Sequence, residues 1–157
     1  ADKAGLLPGV YYRLQNHVDA VAQADQLVNR AQALARSRNW NAPALLLCGD
    51  YDANSRLSDI LRFMDRVESR TGIVPVAYLE NSQHLKLLLG NADAATKAKL
   101  RGVDWEGGRS RPKVYSHNRY RFSPFFGNLD RPIERNVFNG SPAALQAFWQ
   151  RHGLKLP

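Results

Sequence analysis

The sequence predicts an α/β fold in which a parallel sheet is joined by helical crossovers, and three features predict it. A continuous apolar run, Ala44 to Cys48, is too short for a typical helix and is bounded by Pro43 and Gly49, as a strand buried on both faces would be. The stretches on either side of it carry apolar residues at three-four spacing, the pattern of helices with one buried face. A second branched run, Ile73 to Leu79, then completes the strand–helix alternation of a parallel sheet.

Taken in order, Gly5-Leu6-Leu7-Pro8-Gly9 reads as a turn and Val10 to Leu14 as a short strand rich in aromatic and branched residues. A polar loop, Gln15 to Asp19, leads into a helix with Val21, Ala24, Leu27, Val28, Ala31 and Leu34 on one face. The chain passes through Arg36-Ser37-Arg38-Asn39 into the 44–48 strand. Asn54 or Ser55 can cap the next helix, whose stripe is Leu57, Ile60, Leu61, Met64 and Val67, and Gly72 supplies its stop. Pro75 falls near the start of the following strand, where a missing N–H donor is tolerated.

His84 to Leu89 is a short helix and Ala92 to Leu100 a second one. Between Arg101 and Arg135 the glycines and prolines at 102, 107, 108, 112, 124, 127 and 132 interrupt every periodicity, with strands suggested at Lys113–Ser116 and Tyr120–Phe126. Order returns at the end. Ser141 caps a helix, Pro142 takes its first position, Leu145, Phe148 and Trp149 face inward, and Gly153 stops it.

A chain of 157 residues suffices for one domain, residues 1–157, with a real core. Hydrophobic residues make up 44% and no apolar run approaches the length of about 18 that a membrane span needs. Neither end carries a signal-peptide pattern. The single cysteine, Cys48, excludes an internal disulfide framework and reads as a small buried hydrophobe. His17, His84, His117 and His152 lack metal-ligand spacing, so zinc is not expected, and no cofactor is called for. The formal charge of +8 favours a polyanionic setting: nucleic acid, an anionic cell wall or an acidic membrane surface.

The chemistry is expected directly after the buried strand, where α/β folds place their sites. There, Asp50-Tyr51-Asp52 sets two carboxylates on one face of an extended chain, about 6.6 Å apart along the strand. Carboxyl groups at that range can divide acid and base work on a glycosidic bond. The same residues also fit an Asp-rich turn leading into a capped helix. Asp104, Glu106 and Glu80 are further acids, read as surface charges, although Glu80 follows a strand. Arg109, Arg111, Lys113, Arg119, Arg121, Arg131 and Arg135 interleave with Tyr115, Tyr120, Phe122, Phe125 and Phe126. This stretch fits a solvated loop face, a glycan or assembly surface, and, last in order, a grip on nucleic acid.

Three segments, in order, resemble glycoside hydrolase family 25, the Chalaropsis-type lysozymes that cut peptidoglycan. Ala4 to Tyr12 followed by Gln23-Ala24-Asp25 is similar to the family's AGL-x-x-G-x-Y-H-F strand and the QAD of the next helix. Leu46 to Asn54 is similar to its strand ending in Asp-x-Glu, and Arg70 to Tyr78 to its RTG-x-x-P-x-x-Y. Glu134 to Gly140, with Leu145 and Phe148-Trp149 beyond, is similar to its terminal D-x-N-x-F-N-G and closing helix.

The resemblance implies a modified TIM-like (β/α) barrel with its site at the carboxyl ends of the strands. It further implies a muramidase secreted, extracellular or carried on a phage virion. In that family a carboxylic acid protonates the leaving oxygen while an aspartate steers the sugar's own acetamido group. On this resemblance Asp50 matches the aspartate and Asp52 the catalytic glutamate. Tyr11 and Tyr78 match aromatics of the groove, with Tyr12 and Tyr51 beside them, and Glu134 matches the last-strand aspartate.

The sequence also departs from the family. Asp52 is one methylene shorter than glutamate, Glu134 one longer, and Tyr12-Arg13 stand in place of His-Phe. The family's LW-x-A-x-Y strand and its Trp-Gln-Tyr have no counterpart, although Tyr120-Arg121-Phe122 and Phe125-Phe126 fall near the place of the latter. The chain starts where the family's third strand begins, so the first two strand–helix units are expected to be missing. An edge strand at Val10–Leu14 would then need cover, from another segment or another chain. A domain with this altered set could instead serve as a structural or wall-binding module, for instance in a phage tail or a secretion assembly.

Overall fold

The computed structural model describes residues 7–37, 45–52, 54–79, 82–90, 92–106, 114–123, 127–138 and 140–155. Asn41 to Ala44, Glu80, the basic residues 109–113 and the aromatic pair 125–126 fall outside these.

The elements run β1 (Gly9–Arg13), α1 (Ala20–Ser37), β2 (Leu45–Tyr51), α2 (Leu57–Thr71), β3 (Val76–Leu79), α3 (Ser82–Gly90), α4 (Ala94–Val103), β4 (Asp104–Glu106), β5 (Val114–Ser123), β6 (Gly127–Phe138), α5 (Pro142–His152) and β7 (Gly153–Leu154). The strands form one sheet in the order β1-β2-β3-β4-β5-β6, with β7 beside the start of β2. β1 to β5 are mutually parallel, whereas β6 and β7 run antiparallel to their neighbours. The expected α/β architecture is therefore present. The sheet is open: among the described residues no ladder joins β6 to β1, and β1 pairs with β2 only.

The continuous apolar run becomes the central strand, as its composition requires. Leu45 to Gly49 are buried, and alternate side chains feed two different cores. Leu45, Leu47 and Tyr51 pack with Ala24, Leu27, Val28 and Ala31 of α1 and with Ile60, Phe63, Met64 and Val67 of α2. Leu46 and Cys48 pack with Val76 and with Phe148 of α5 on the other face. β1 alternates because only one of its faces is covered: Val10 and Tyr12 lie against the helix-side core, while Gly9, Tyr11 and Arg13 are exposed.

Helix ends follow local chemistry. Asp19 accepts the Ala22 N–H and opens α1. Gly72, in the left-handed region at φ 71°, closes α2 and donates its N–H to the Glu68 carbonyl. The expected cap of α2 by Asn54 or Ser55 is a correction: the cap position is Arg56, without a side-chain bond, because the Asp52 carboxylate already takes the Asn54 N–H and the Ser55 hydroxyl. Ser141 caps α5 by accepting the Ala144 N–H, with Pro142 behind it, as expected. Gly153 ends that helix in extended backbone and leads straight into β7.

The Gln23-Ala24-Asp25 triplet has structural work. The Gln23 side chain is 1% exposed, accepts the Gln15 N–H at 2.7 Å and donates to the Gln15 and Val18 carbonyls, which pins the β1–α1 loop. Ala24 permits close packing, and Asp25 accepts from both Arg66 and Arg70 of α2. Trp149 of α5 donates its indole N–H to the Pro8 carbonyl at 2.7 Å and so ties the last helix to the entry of β1. Among the described residues no helix is long and apolar enough to cross a membrane.

The stretch from 101 to 135 differs most from its sequence reading. β4 was not foreseen, and the two suggested strands are one strand of ten residues paired with a second of twelve. Its register jumps from Tyr120↔Ile133 to Phe122↔Asn128, so Arg121 faces the longer segment containing Pro132, which has no N–H to give a ladder.

Candidate active site

Strand parity decides which residues share the site. Arg13, Asp50 and Tyr78 are register partners across β1, β2 and β3, and paired residues of parallel strands fall on one face. Tyr11, Cys48 and Val76 form the row beneath, nearer the strand starts. Phe148 of α5 fills this face at the level of Leu46, Cys48 and Val76. The Asp50 row lies at the carboxyl end of the strands, and Asp50 itself is half-buried.

Asp52 lies just past the end of β2. Its Oδ1 accepts the Asn54 N–H at 2.9 Å and the Ser55 hydroxyl at 3.4 Å. The Asn16 amide, from the β1–α1 loop, reaches Oδ1 at 3.3 Å and Oδ2 at 3.4 Å. Desolvation pushes the Asp52 carboxyl up, but the Asn54 N–H, the Asn16 and Ser55 donors and the charge of Arg13 together outweigh it and hold it below the usual carboxylate range.

Asp50 also leaves its mark on its neighbours. Burial, then the Asp50 charge, pushes the Cys48 thiol up to about 12. Burial chiefly, with the Cys48 and Asp50 charges behind it, raises the Tyr51 phenol well above its ordinary value.

Of the expected substrate-binding residues, Tyr11 is 73% exposed on the Asp50 face, and Tyr78 is the register partner of Asp50, partly buried against the Leu46–Phe148 core. Glu134 lies on β6 opposite Arg119, four residues before Phe138. Two of the expected residues lie on the opposite face of the sheet. Tyr51 is 0% exposed, on the helix face, with its ring edge-on to Phe63 at 6.0 Å. Tyr12 lies on that same face, donating its hydroxyl to Gln26 of α1 with its ring 6.3 Å from Phe63. Both are adjacent in sequence to site residues, and alternation along a strand sends adjacent residues to opposite sides.

Nothing in the local sequence marks Asn16 or Arg13 as a partner of Asp52. Asn16 belonged to a loop with no periodicity, and its partner is 36 residues away. The positive φ of 66° at His17 would not show in sequence either.

No protein-family model matches the chain, and no curated protein matches it in sequence. Solved structures do. The bacterial lysozyme from Streptomyces coelicolor superposes with a TM-score of 0.63 at 21% identity, over 96% of this chain and 76% of its own. The muramidase from Acremonium alcalophilum gives 0.57 at 16% identity, over 94% and 75%. The muramidase from Trichobolus zukalii gives 0.57 at 17%, over 94% and 75%. The chain therefore has a lysozyme-like α/β fold.

Proposed function

We propose that this chain is a lysozyme-like glycoside hydrolase of the family 25 type, a muramidase that hydrolyses the peptidoglycan glycan strand with Asp50 and Asp52. One observation carries the reading. Asp50 stands at the carboxyl end of the central strand, in register with Tyr78 and Arg13, and Asp52 is held two residues further on by donors from two loops. The likeness in fold to a bacterial lysozyme and two muramidases supports it. The parallel order of β1 to β5, with α1 and α2 on one face, supports a partial barrel of that family's type.

The environment of Asp52 bears on its role. A group held below the usual carboxylate range is a poor proton donor at neutral pH and a good anion. Asp52 therefore suits the anionic part, steering the acetamido group and balancing positive charge on the sugar ring. The sequence resemblance implies the acid role for Asp52 and the steering role for Asp50, and the two variants below decide how the work is divided. Tyr11 and Tyr78 offer ring faces to the glycan, and Glu134 a further polar contact from β6. Such a substrate sets the work outside the cytoplasm, on secreted or virion-borne protein, and a further segment or chain against the edge of β1 belongs to the same reading.

The test is clearance of purified cell walls with release of reducing sugar ends. Asp50→Asn and Asp52→Asn should each lower the rate by roughly 100-fold or more. Lysis untouched by both changes removes the site.

A second reading rests on the tied carboxylate: with a short side chain bound to three donor groups, the domain would grip the glycan without cutting it. Wild-type protein that sediments with walls yet releases no ends would favour that module.

A further inference from the structure

We infer that Asn16 is a positioning residue: the β1–α1 loop is built to hold its amide against Asp52 and keep that carboxylate oriented and anionic. The bearing on catalysis rests on the reading above, but the geometry is independent of it.

The loop is locked at both ends. Leu14 is 2% exposed and donates its N–H to the Asp50 carbonyl at 2.9 Å, so the loop leaves β1 beside the site. Gln23, buried in α1, holds both backbone groups of Gln15 and the Val18 carbonyl. Asp19 then caps α1 and is itself held by Arg62 at 2.7 Å. Between these anchors His17 adopts φ 66°, a left-handed conformation uncommon in non-glycine residues though more accessible to histidine than to most. The consequence is the placement of Asn16 directly before it, half-buried, with its amide nitrogen shared between both Asp52 oxygens.

The donors divide unequally. Oδ1 also has the Asn54 N–H and the Ser55 hydroxyl, both from the chain just after Asp52. Oδ2 receives Asn16 alone among the hydrogen bonds of the described residues. Local sequence therefore secures one oxygen, and a remote loop secures the other. Among the described residues, Arg13 at the end of β1 is the charge that acts on Asp52, and Asp50 lies two residues before it in the chain. Both are kept in the variants below, so a change in Asn16→Ala reads the loss of the amide, whereas Asn16→Asp also adds a negative charge.

The experiment compares Asn16→Ala and Asn16→Asp with wild type by carbon-13 carboxyl titration, the Asp52 signal being identified by its loss in Asp52→Asn. Asparagine and aspartate have nearly the same shape and both suit this turn, so a merely structural Asn16 would tolerate Asn16→Asp. As a positioning residue it would not. The Asp52 midpoint should move upward in Asn16→Ala and further upward in Asn16→Asp, which brings a second carboxylate to the first.

With cleavage of walls as a second readout, kcat should fall about tenfold or more in both variants while KM holds, since only orientation at the reacting centre is lost. An Asp52 midpoint unchanged in both variants overturns the inference. Should the wild type cleave nothing, the functional reading fails, and the titration still judges the Asn16–Asp52 link. Should Asn16→Ala unfold, the near-isosteric Asn16→Asp keeps the test.

Discussion

Tyr51 folds its phenol back over Gly49, two residues earlier on the same face of β2, so closely that a Cβ at Gly49 would overlap the Tyr51 hydroxyl and the ring carbon that bears it. The glycine thus makes room inside an otherwise apolar strand, and Phe63 closes the space from α2.

Gly49→Ala should therefore destabilise the fold by about 1–3 kcal/mol through overpacking. The Tyr51 ring is the obstacle, so the cost should be much smaller in a Tyr51→Leu background. Urea melts of the two single variants and the double variant would show this as non-additivity. Simple additivity would mean that the ring moves aside freely.

The Tyr51 hydroxyl is fully buried and, among the described residues, has no hydrogen-bond partner. Removing it in Tyr51→Phe relieves an uncompensated polar group and should leave stability unchanged or raise it by up to about 1 kcal/mol. Wall binding and cleavage should not change. A variant that melts normally yet loses glycan affinity would return Tyr51 to the groove.

Asp52 is held below the usual carboxylate range by donors that desolvation does not cancel. A group whose folded pKa is depressed adds stability above its unfolded value, about 3.9 for aspartate, and that stability is lost as pH falls through the folded value. Asp52→Asn should thus be less stable than wild type at neutral pH, with the gap closing in acid. Asp19, Asp25 and Asp93 are depressed as well, so the variant removes only part of the acid limb. Urea midpoints that differ equally at every pH would contradict the linkage.

Burial, with the Asp50 charge beside it, pushes the Cys48 thiol up to about 12. The native protein should therefore resist an aromatic disulfide reagent at neutral pH, because the thiolate is the reacting species. In concentrated guanidinium one thiol per chain should appear. Rapid labelling of the native form would show that the β2 face opens.

The sequence by itself determined the alternation of strand and helix through β3, the apolar stripes of α1 and α2, the glycine stop at Gly72 and the Ser141-Pro142 start of α5. These depend on short-range periodicity and on φ/ψ preferences that each residue carries with it. It also marked Asp50-Tyr51-Asp52, because residue spacing on a strand is local. It did not show the β5–β6 hairpin, whose ladder joins residues up to 24 apart and is broken by Pro132. Only the tertiary structure decided the faces. Tyr12 and Tyr51 adjoin site residues in the chain, yet α1 and α2 pack over their side of the sheet, burying Tyr51 in the core and Tyr12 partly against it. Asn16 reaches Asp52 from a loop that Gln23 holds in place. Contacts of that kind cost chain entropy before they form, and nothing in the neighbouring residues announces them.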